Sequence, residues 1–385
     1  MTHVTTAIHQ FHHGVDVGDG VTNSMLFIRK LLRRMGFASE IFAANIPGTL
    51  QGEIKPYHTL EDSNADTTVL LQHHSMGHEL GNWLVNLAIP RVLVYHNITP
   101  GEFFSPGSDY RRYAELGREQ LRHWRDAFIG VIAVSDFNAQ DLVALDYDPD
   151  RISVIPLLVD MDKLAPPVGE TTLPRLAHAL HPALKDRPAL VFIGRIVENK
   201  RQHLLLEMLW YLHRLRQDTR NAPLPMLILA GGGTNSPYGH FIRQRTHQLH
   251  LDDSVIMPGK VDDTLLSALY QQADAFVCAS AHEGFGMPLL EAMVAQCPVV
   301  AMNTSNIAHT LGEGGLVLND QAPAAMAAAT ELLLEDPALR QTVLEGQQRA
   351  LDRYQPEVIA EQLSHWLAHT LRITPPASPN DAKGN

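Results

Sequence analysis

The amino-acid sequence predicts an α/β protein made of two doubly wound units facing a cleft. Three observations lead there. Short apolar runs alternate with longer segments of helical period along most of the 385 residues, a pattern of parallel strands covered on both faces by helices. The alternation fades in a proline-bearing stretch after residue 160 and then restarts, so that each half has the size of one domain. Glycine-bearing loops follow several of the runs, at the strand ends where doubly wound sheets hold ligands.

The elements read in order as follows. VTTAIHQF (4–11) is a first strand, and Ser24 to Gly36 a helix ended by its glycine. SEIFAA (39–44), TVLLQ (68–72), RVLVYH (91–96) and VIAVS (131–135) are further buried strands, with stretches such as 107–127 suited to helices between them. After SVIPLLVD (153–160) the proline-rich residues suit a linker with one short helix. ALVFIGR (189–195), PMLILAGGG (225–233), SVIMPG (254–259), AFVCAS (275–280) and CPVVAM (297–302) rebuild the pattern. The expected domains are 1–165 and 189–355, joined by a linker over 166–188. Residues 356–372 read as a C-terminal helix packing back on the first domain, and the polar, proline-rich 373–385 as a disordered tail.

Composition narrows the class. A net charge of -12 opposes general nucleic-acid binding, which needs a basic footprint. The two cysteines, Cys278 and Cys297, sit in apolar segments and read as buried thiols in a reducing compartment. No signal-peptide pattern opens the sequence, and no apolar run has the length of a membrane span, so the cytoplasm is the expected address. The 21 histidines include the pairs His12-His13 and His73-His74, whose spacing is not that of zinc ligands. No metal site is expected.

AHEGFGMPLLEAM (281–293) carries the most chemistry. It follows the strand AFVCAS, and Pro288 suits the first turn of a helix, where its missing N–H costs nothing. Gly284 and Gly286 allow a sharp bend and close approach to a ligand. The helix N-terminus suits phosphate. Glu291, placed in the first turn, can accept from sugar hydroxyls, and Glu283 lies further along the same ligand. Paired carboxylates also serve glycosidases at roughly 5–10 Å separation. A phosphate-binding helix start is not needed there, which favours a phosphate-bearing ligand.

Other loops add to this. In GRIVENK, Arg195 and Lys200 suit a diphosphate whose charge must be neutralised as a bond to it breaks. GVDVGDGVTN (14–23) brings Gly18 and Gly20 near a ligand, yet it is not a GxGxxG dinucleotide fingerprint. GGGTNSPYG (231–239) follows another strand, and PGKV (258–261) places Lys260 near a strand end where a nucleotide base could lie. In VYHNITPGEFF (94–104), His96 ends a buried strand and can bond a sugar hydroxyl or take a proton, with Asn97 and Thr99 beside it.

As a set, GDGVTN, YHNITP, VSDFN, VIPLLVD, FIGRIVENK, PGKV, LYQQADAFVCAS and EGFGMPLLEAM resemble the retaining glycosyltransferases of the family-4 type in order and spacing, to about residue 350. They are also similar to bacterial polysaccharide and O-antigen hexosyltransferases. The resemblance implies the GT-B fold of two Rossmann-like domains. It implies a hexose, with a lean towards mannose, moved from a GDP- or UDP-linked donor to a saccharide or lipid-linked acceptor. Arg195 and Lys200 would hold the diphosphate, Glu291 the ribose hydroxyls, and Glu283 with the amides of Phe285 and Gly286 the donor sugar. His96 would sit beside the transferred sugar, the Gly18–Gly20 loop would close over the phosphates, and no metal or other cofactor would be required.

The sequence departs from that family at PLLVD, where PNGVD is usual, at Cys297, and in TSNIAHTLGEGG, which lacks a Gly-Pro pair. Two other readings share the architecture: a non-catalytic nucleotide-sugar-binding protein, and a phosphorolytic enzyme. The intact Glu283, Glu291, Arg195 and Lys200 set opposes the first, and the lack of a cofactor-holding lysine signal opposes the second. Finally, LFIRKLLRRMGF (26–37) places Arg29, Lys30, Arg33 and Arg34 on a helix with Phe27, Leu31 and Met35. Such a helix suits either core packing with a basic outer face or peripheral contact with the inner membrane.

Overall fold

Runs of apolar residues become strands buried on both faces, as parallel sheets require. The computed structural model describes residues 5–157, 161–164, 175–219 and 222–373. The chain divides into two units, Met1–Val159 with Arg353–Asn385, and Asp160–Asp352. Each is an α/β unit around its own parallel sheet, the class the sequence predicts.

The first sheet comprises β1 (Ala7–Gly14), β2 (Ile41–Asn45), β3 (Lys55–Pro56), β4 (Thr68–His74), β5 (Arg91–Tyr95), β6 (Gly130–Ala133) and β7 (Ile152–Val154). Its order is β3-β2-β1-β4-β5-β6-β7. The second has β8 (Ala189–Ile193), β9 (Met226–Ala230), β10 (Val255–Gly259), β11 (Ala275–Cys278), β12 (Val299–Met302) and β13 (Leu316–Leu318) in the order β10-β9-β8-β11-β12-β13. In both sheets the order reverses beside the first strand, between β1 and β4 and between β8 and β11. Such a switch point opens a crevice at the carboxyl edge, because the flanking crossovers leave on opposite faces.

Several boundaries differ from the sequence reading. β1 runs to Gly14, since His12 and His13 extend the strand beyond its apolar run. The helix expected from Ser24 starts at Gly20 and ends at Arg34. Its start is set by Asp19, which accepts from the Thr22 amide at 3.0 Å, a side-chain cap that no hydrophobic period reveals. The described residues around the expected linker are joined to the second unit. Leu164 and Leu176 are buried, the Leu164 carbonyl accepts from Gln271 at 3.2 Å, and the Leu176 amide donates to Gln272 at 3.2 Å. The remainder of that stretch, 165–174, and the tail over 374–385 lie outside the described residues.

The helix Pro356–His369 belongs to the first unit. Gly130 lets it come close, because a Cβ there would stand 2.8 Å from the Trp366 ring. On the basic helix, Arg29 pairs with Glu53 at 2.5 Å and Arg33 with Glu40 at 3.1 Å, while Lys30 and Arg34 are exposed. No described helix is long and apolar enough to cross a membrane.

Five described histidines of the first unit are buried, His9, His73, His74, His78 and His96. Burial disfavours the charged forms of the last four, lowering His74 to about 4, His96 to about 3, His78 to about 2, and His73 well below its ordinary value. Neither ring nitrogen of His78 has a hydrogen-bond partner among the described residues. The ring stacks on His13 at 5.0 Å and meets Phe11 and Trp124 at 6.0 Å, as an apolar ring would.

Their sign is therefore set. The unfolded chain takes up protons below about pH 6.5 while the folded one cannot, so stability is full above that pH and lost as pH falls towards 4. Each such histidine contributes a slope of about 1.4 kcal/mol per pH unit in that window. In urea unfolding from pH 7.5 to 4.5, His78→Phe should keep or raise stability at pH 7.5 and remove one such increment of slope. A variant with the parent's slope would show that His78 is protonated in the fold.

Candidate active site

The carboxyl edge of the second sheet gathers most of the predicted residues. Between β8 and β9 the backbones nearly touch: a Cβ on Gly231 (φ 148°) would lie 2.0 Å from the Gly194 carbonyl oxygen. Only glycine fits, and the contact fixes the loop in which Arg195 follows. The Arg195 carbonyl accepts from the buried Gln202 side chain at 2.9 Å, and the residue is exposed. Lys260, also exposed, lies over the β9 loop, 3.4 Å from where a Gly232 Cβ would sit.

Across the switch point, Lys200 Nζ stands 2.6 Å from Glu283 Oε1, with side-chain exposures of 20% and 11%. The two residues are 83 positions apart. Asn199 ties the same loops, its carbonyl accepting from Ala281 N–H at 2.7 Å and its side-chain amide reaching the His282 carbonyl at 3.5 Å. Gly286, at φ 85°, is the left-handed residue before the helix Met287–Val294, and a side chain there would also collide with Leu289. That helix has Pro288 in its first turn, as predicted, and presents amides without partners inside the helix.

Glu291 is not in the first turn, where the sequence reading put it. With the helix starting at Met287 it falls in the second, because Gly286 and not an earlier residue ends the loop. Its carboxylate accepts from Tyr270 Oη at 2.7 Å. Tyr270 is fully buried, and burial together with the nearby Glu291 charge pushes its phenol well above the ordinary value. It therefore stays a donor and holds Glu291 in place.

The loop after β12 supports the β11 loop from the other side. Ser305 Oγ accepts from the Glu283 amide at 2.8 Å, and Asn306 N–H reaches the Glu283 carbonyl at 3.4 Å. Thr304 donates to the Ser280 carbonyl at 2.6 Å, and Thr310 donates to the carbonyl of Phe285. Tyr270, Ser305, Thr304, Thr310 and Asn199 are absent from the sequence-based site. Tyr270 lies within the motif LYQQADAFVCAS, whereas Ser305 and Thr310 lie in TSNIAHTLGEGG, where the sequence departs from the family pattern.

The edge of the first unit has a different chemistry. Gly18 (φ 77°) is exposed in the loop after β1, whereas Gly20 is already the first helical residue. His96 follows β5 and is buried, with Asn97 left-handed at φ 79° beside it. Tyr95 fixes this turn: its hydroxyl accepts from Ile98 N–H at 3.0 Å and donates to Asp141, which Arg118 grips with two bonds of 3.0 and 2.7 Å. His73 meets His96 and Gln10. His12 faces the Gly14 carbonyl through Nδ1 and Ser75 Oγ through Nε2 at 2.9 Å. A carbonyl only accepts, so His12 carries its proton on Nδ1 and receives one from Ser75.

Two family models match, "Glycosyl transferases group 1" over residues 177–349 and "Glycosyltransferase Family 4" over residues 66–163. The two matches to glycosyltransferase models fall mainly one in each half of the chain. Among curated relatives, D-inositol 3-phosphate glycosyltransferase of Kineococcus radiotolerans is 31% identical over 58% of this chain and 53% of its own length. Alpha-maltose-1-phosphate synthase of Mycobacterium tuberculosis is 28% identical over 71% of each. The chain thus spans about half the length of the first curated relatives it matches. HepE of Anabaena, solved with UDP-glucose, superposes with a TM-score of 0.74 at 16% identity, covering 94% of this chain and 99% of that one. WaaG, a glycosyltransferase involved in lipopolysaccharide biosynthesis, superposes with 0.68 at 14%, covering 92% and 98%. The fold is GT-B.

One stability test follows from the Ser305 contact, whose backbone is left-handed at φ 44°. Ser305→Ala loses the acceptor for the Glu283 amide, at about 1–3 kcal/mol, and keeps the left-handed strain of about 1 kcal/mol. Ser305→Gly loses the acceptor alone. Urea unfolding should rank the parent above Gly and Gly above Ala, and an Ala variant as stable as Gly would remove the strain from the account.

Proposed function

We propose that this chain moves a hexose, with retention of anomeric configuration, from a nucleotide-diphosphate sugar to a saccharide or lipid-linked saccharide. The observation that carries the reading is the Lys200–Glu283 contact of 2.6 Å across the β8–β11 switch point, beside the N-terminus of the helix Met287–Val294. An ammonium and a helix start in one place suit a diphosphate. Arg195, exposed on the same loop as Lys200, adds a second cation. As the bond from the anomeric carbon to the diphosphate oxygen breaks, negative charge gathers on the departing diphosphate, and these fixed charges stabilise it. The same set supports metal-independent catalysis.

Glu283 acts in this reading as a hydrogen-bond acceptor for the donor sugar and not as a nucleophile, since Lys200 already engages its carboxylate. The amides of Phe285 and Gly286 donate to the same sugar, and Gly284, with no side chain, keeps the turn open to it. Glu291, held by Tyr270, receives the ribose hydroxyls, and Lys260 lies towards the base. The Gly18–Gly20 segment approaches the phosphates, and His96 accepts from a hydroxyl of the transferred sugar. UDP-linked donors come first, because HepE was solved with UDP-glucose, with GDP-mannose as the second choice. A cytoplasmic enzyme of polysaccharide assembly, touching the inner membrane through the helix Gly20–Arg34, fits the lipid-linked acceptor.

The test begins with thermal unfolding in the presence of UDP, GDP, ADP and their hexose conjugates. A bound nucleotide at a hundred times its Kd adds about 2.7 kcal/mol. Donor consumption is then measured with saccharide, lipid-linked and D-inositol 3-phosphate acceptors. Lys200→Ala should lower kcat by about a hundredfold or more, by loss of one charge-stabilising donor. No shift with any nucleotide and no turnover in any arm would refute the reading, and an unimpaired Lys200→Ala would refute the diphosphate site.

A further inference from the structure

A single carbonyl sets the orientation of the Gln10 amide and, through it, the tautomers of two buried histidines in the first unit. The Met25 carbonyl receives the Gln10 amide nitrogen at 3.0 Å. A carbonyl has no proton to give, so the Gln10 amide cannot be turned around, and its Oε1 must face His73 Nε2, at 3.1 Å. That nitrogen is therefore the protonated one. Burial keeps the His73 ring neutral, and a neutral imidazole has one proton, so Nδ1 is bare.

His73 Nδ1 lies 2.7 Å from His96 Nε2, which must then donate. His96 is neutral for the same reason, leaving its Nδ1 without a proton. This atom is buried and has no hydrogen-bond partner among the described residues. Reversing any one link would set two protons or two lone pairs face to face. The three side chains come from β1, β4 and the end of β5, which are neighbours in the sheet, so the strand register itself holds the series.

We infer that His73 and Gln10 are positioning residues that hold His96 as its Nε2–H tautomer, so that Nδ1 offers a ligand only an acceptor. The ligand group this recognises is a hydroxyl, and a donor sugar whose hydroxyl is replaced by fluorine would lose the bond. The inference rests on the reading above for the identity of the ligand, but the tautomer itself is a property of the unliganded protein.

The experiment is a nitrogen–proton correlation spectrum of the full chain with 15N-labelled histidine at pH 7.5, His96 being assigned as the resonances missing from His96→Gln. The expected result is a His96 ring protonated on Nε2 with bare Nδ1. His73→Phe should abolish that single state and lower kcat by about ten- to a hundredfold, as orienting partners of functional rings commonly do. His73→Asn, whose side-chain oxygen falls near the position of Nδ1, should keep the tautomer and recover most of kcat. A parent protein with the proton on His96 Nδ1 overturns the inference, as does a His73→Phe variant that keeps both tautomer and kcat. If the parent turns over no nucleotide sugar, the proposed function fails while the spectrum still decides the tautomer.

Discussion

The reversal of strand order beside β1 and β8 is the constraint on which both candidate sites depend. At a switch point the loops after neighbouring strands leave on opposite faces, so the sheet hydrogen bonds that align the strands do not align the loops. Side chains take over that task. Lys200–Glu283 and Asn199–Ala281 span β8 and β11 in the second unit. Gln10–His73 and His12–Ser75 span β1 and β4 in the first. These contacts are where a ligand of each unit is expected, and they are also what keeps each crevice in shape.

The two edges solve the problem with opposite electrostatics. In the second unit the charges remain partly exposed, Lys200 at 20% and Glu283 at 11%, with Arg195 and Lys260 open to solvent. Such groups can answer the charge of a diphosphate. In the first unit the polar groups are histidines taken out of water, and burial makes them neutral. They offer directed hydrogen bonds without charge, which suits hydroxyl groups. Under the proposed function, the cations of the second unit answer the diphosphate charge, while the neutral histidines of the first can bond a hydroxyl but cannot balance a charge.

Much of this was legible in the sequence, and the residues show why the rest was not. The strands declared themselves because parallel strands need continuous apolar runs, and Gly286 with Pro288 marked a helix start through backbone geometry that few other residues allow. Arg195, Lys200 and Glu283 stood out as charges in loops after strands, and Glu291 as a carboxylate near a helix start. What stayed hidden were partners brought together by the fold from far apart: Tyr270 under Glu291, Ser305 on the Glu283 amide 22 residues away, His73 beneath His96. Each is an ordinary polar residue whose role exists only through its neighbour. Boundaries set by one side chain, such as the Asp19 cap that moves a helix start to Gly20, escape periodicity for the same reason.

Acid sensitivity and the proposed role of His96 are two consequences of one burial. A more hydrated His96 would titrate nearer its ordinary value, and the first unit would resist acid better. A protonated imidazole, however, carries a proton on both nitrogens and has no acceptor left. The series from the Met25 carbonyl through Gln10 and His73 works only while both rings in it are neutral. An extra proton on His73 Nδ1 would meet the His96 donor, and one on His96 Nδ1 would remove the acceptor itself. Under that proposed role, stability at low pH is given up for a nitrogen that meets a hydroxyl without a proton of its own.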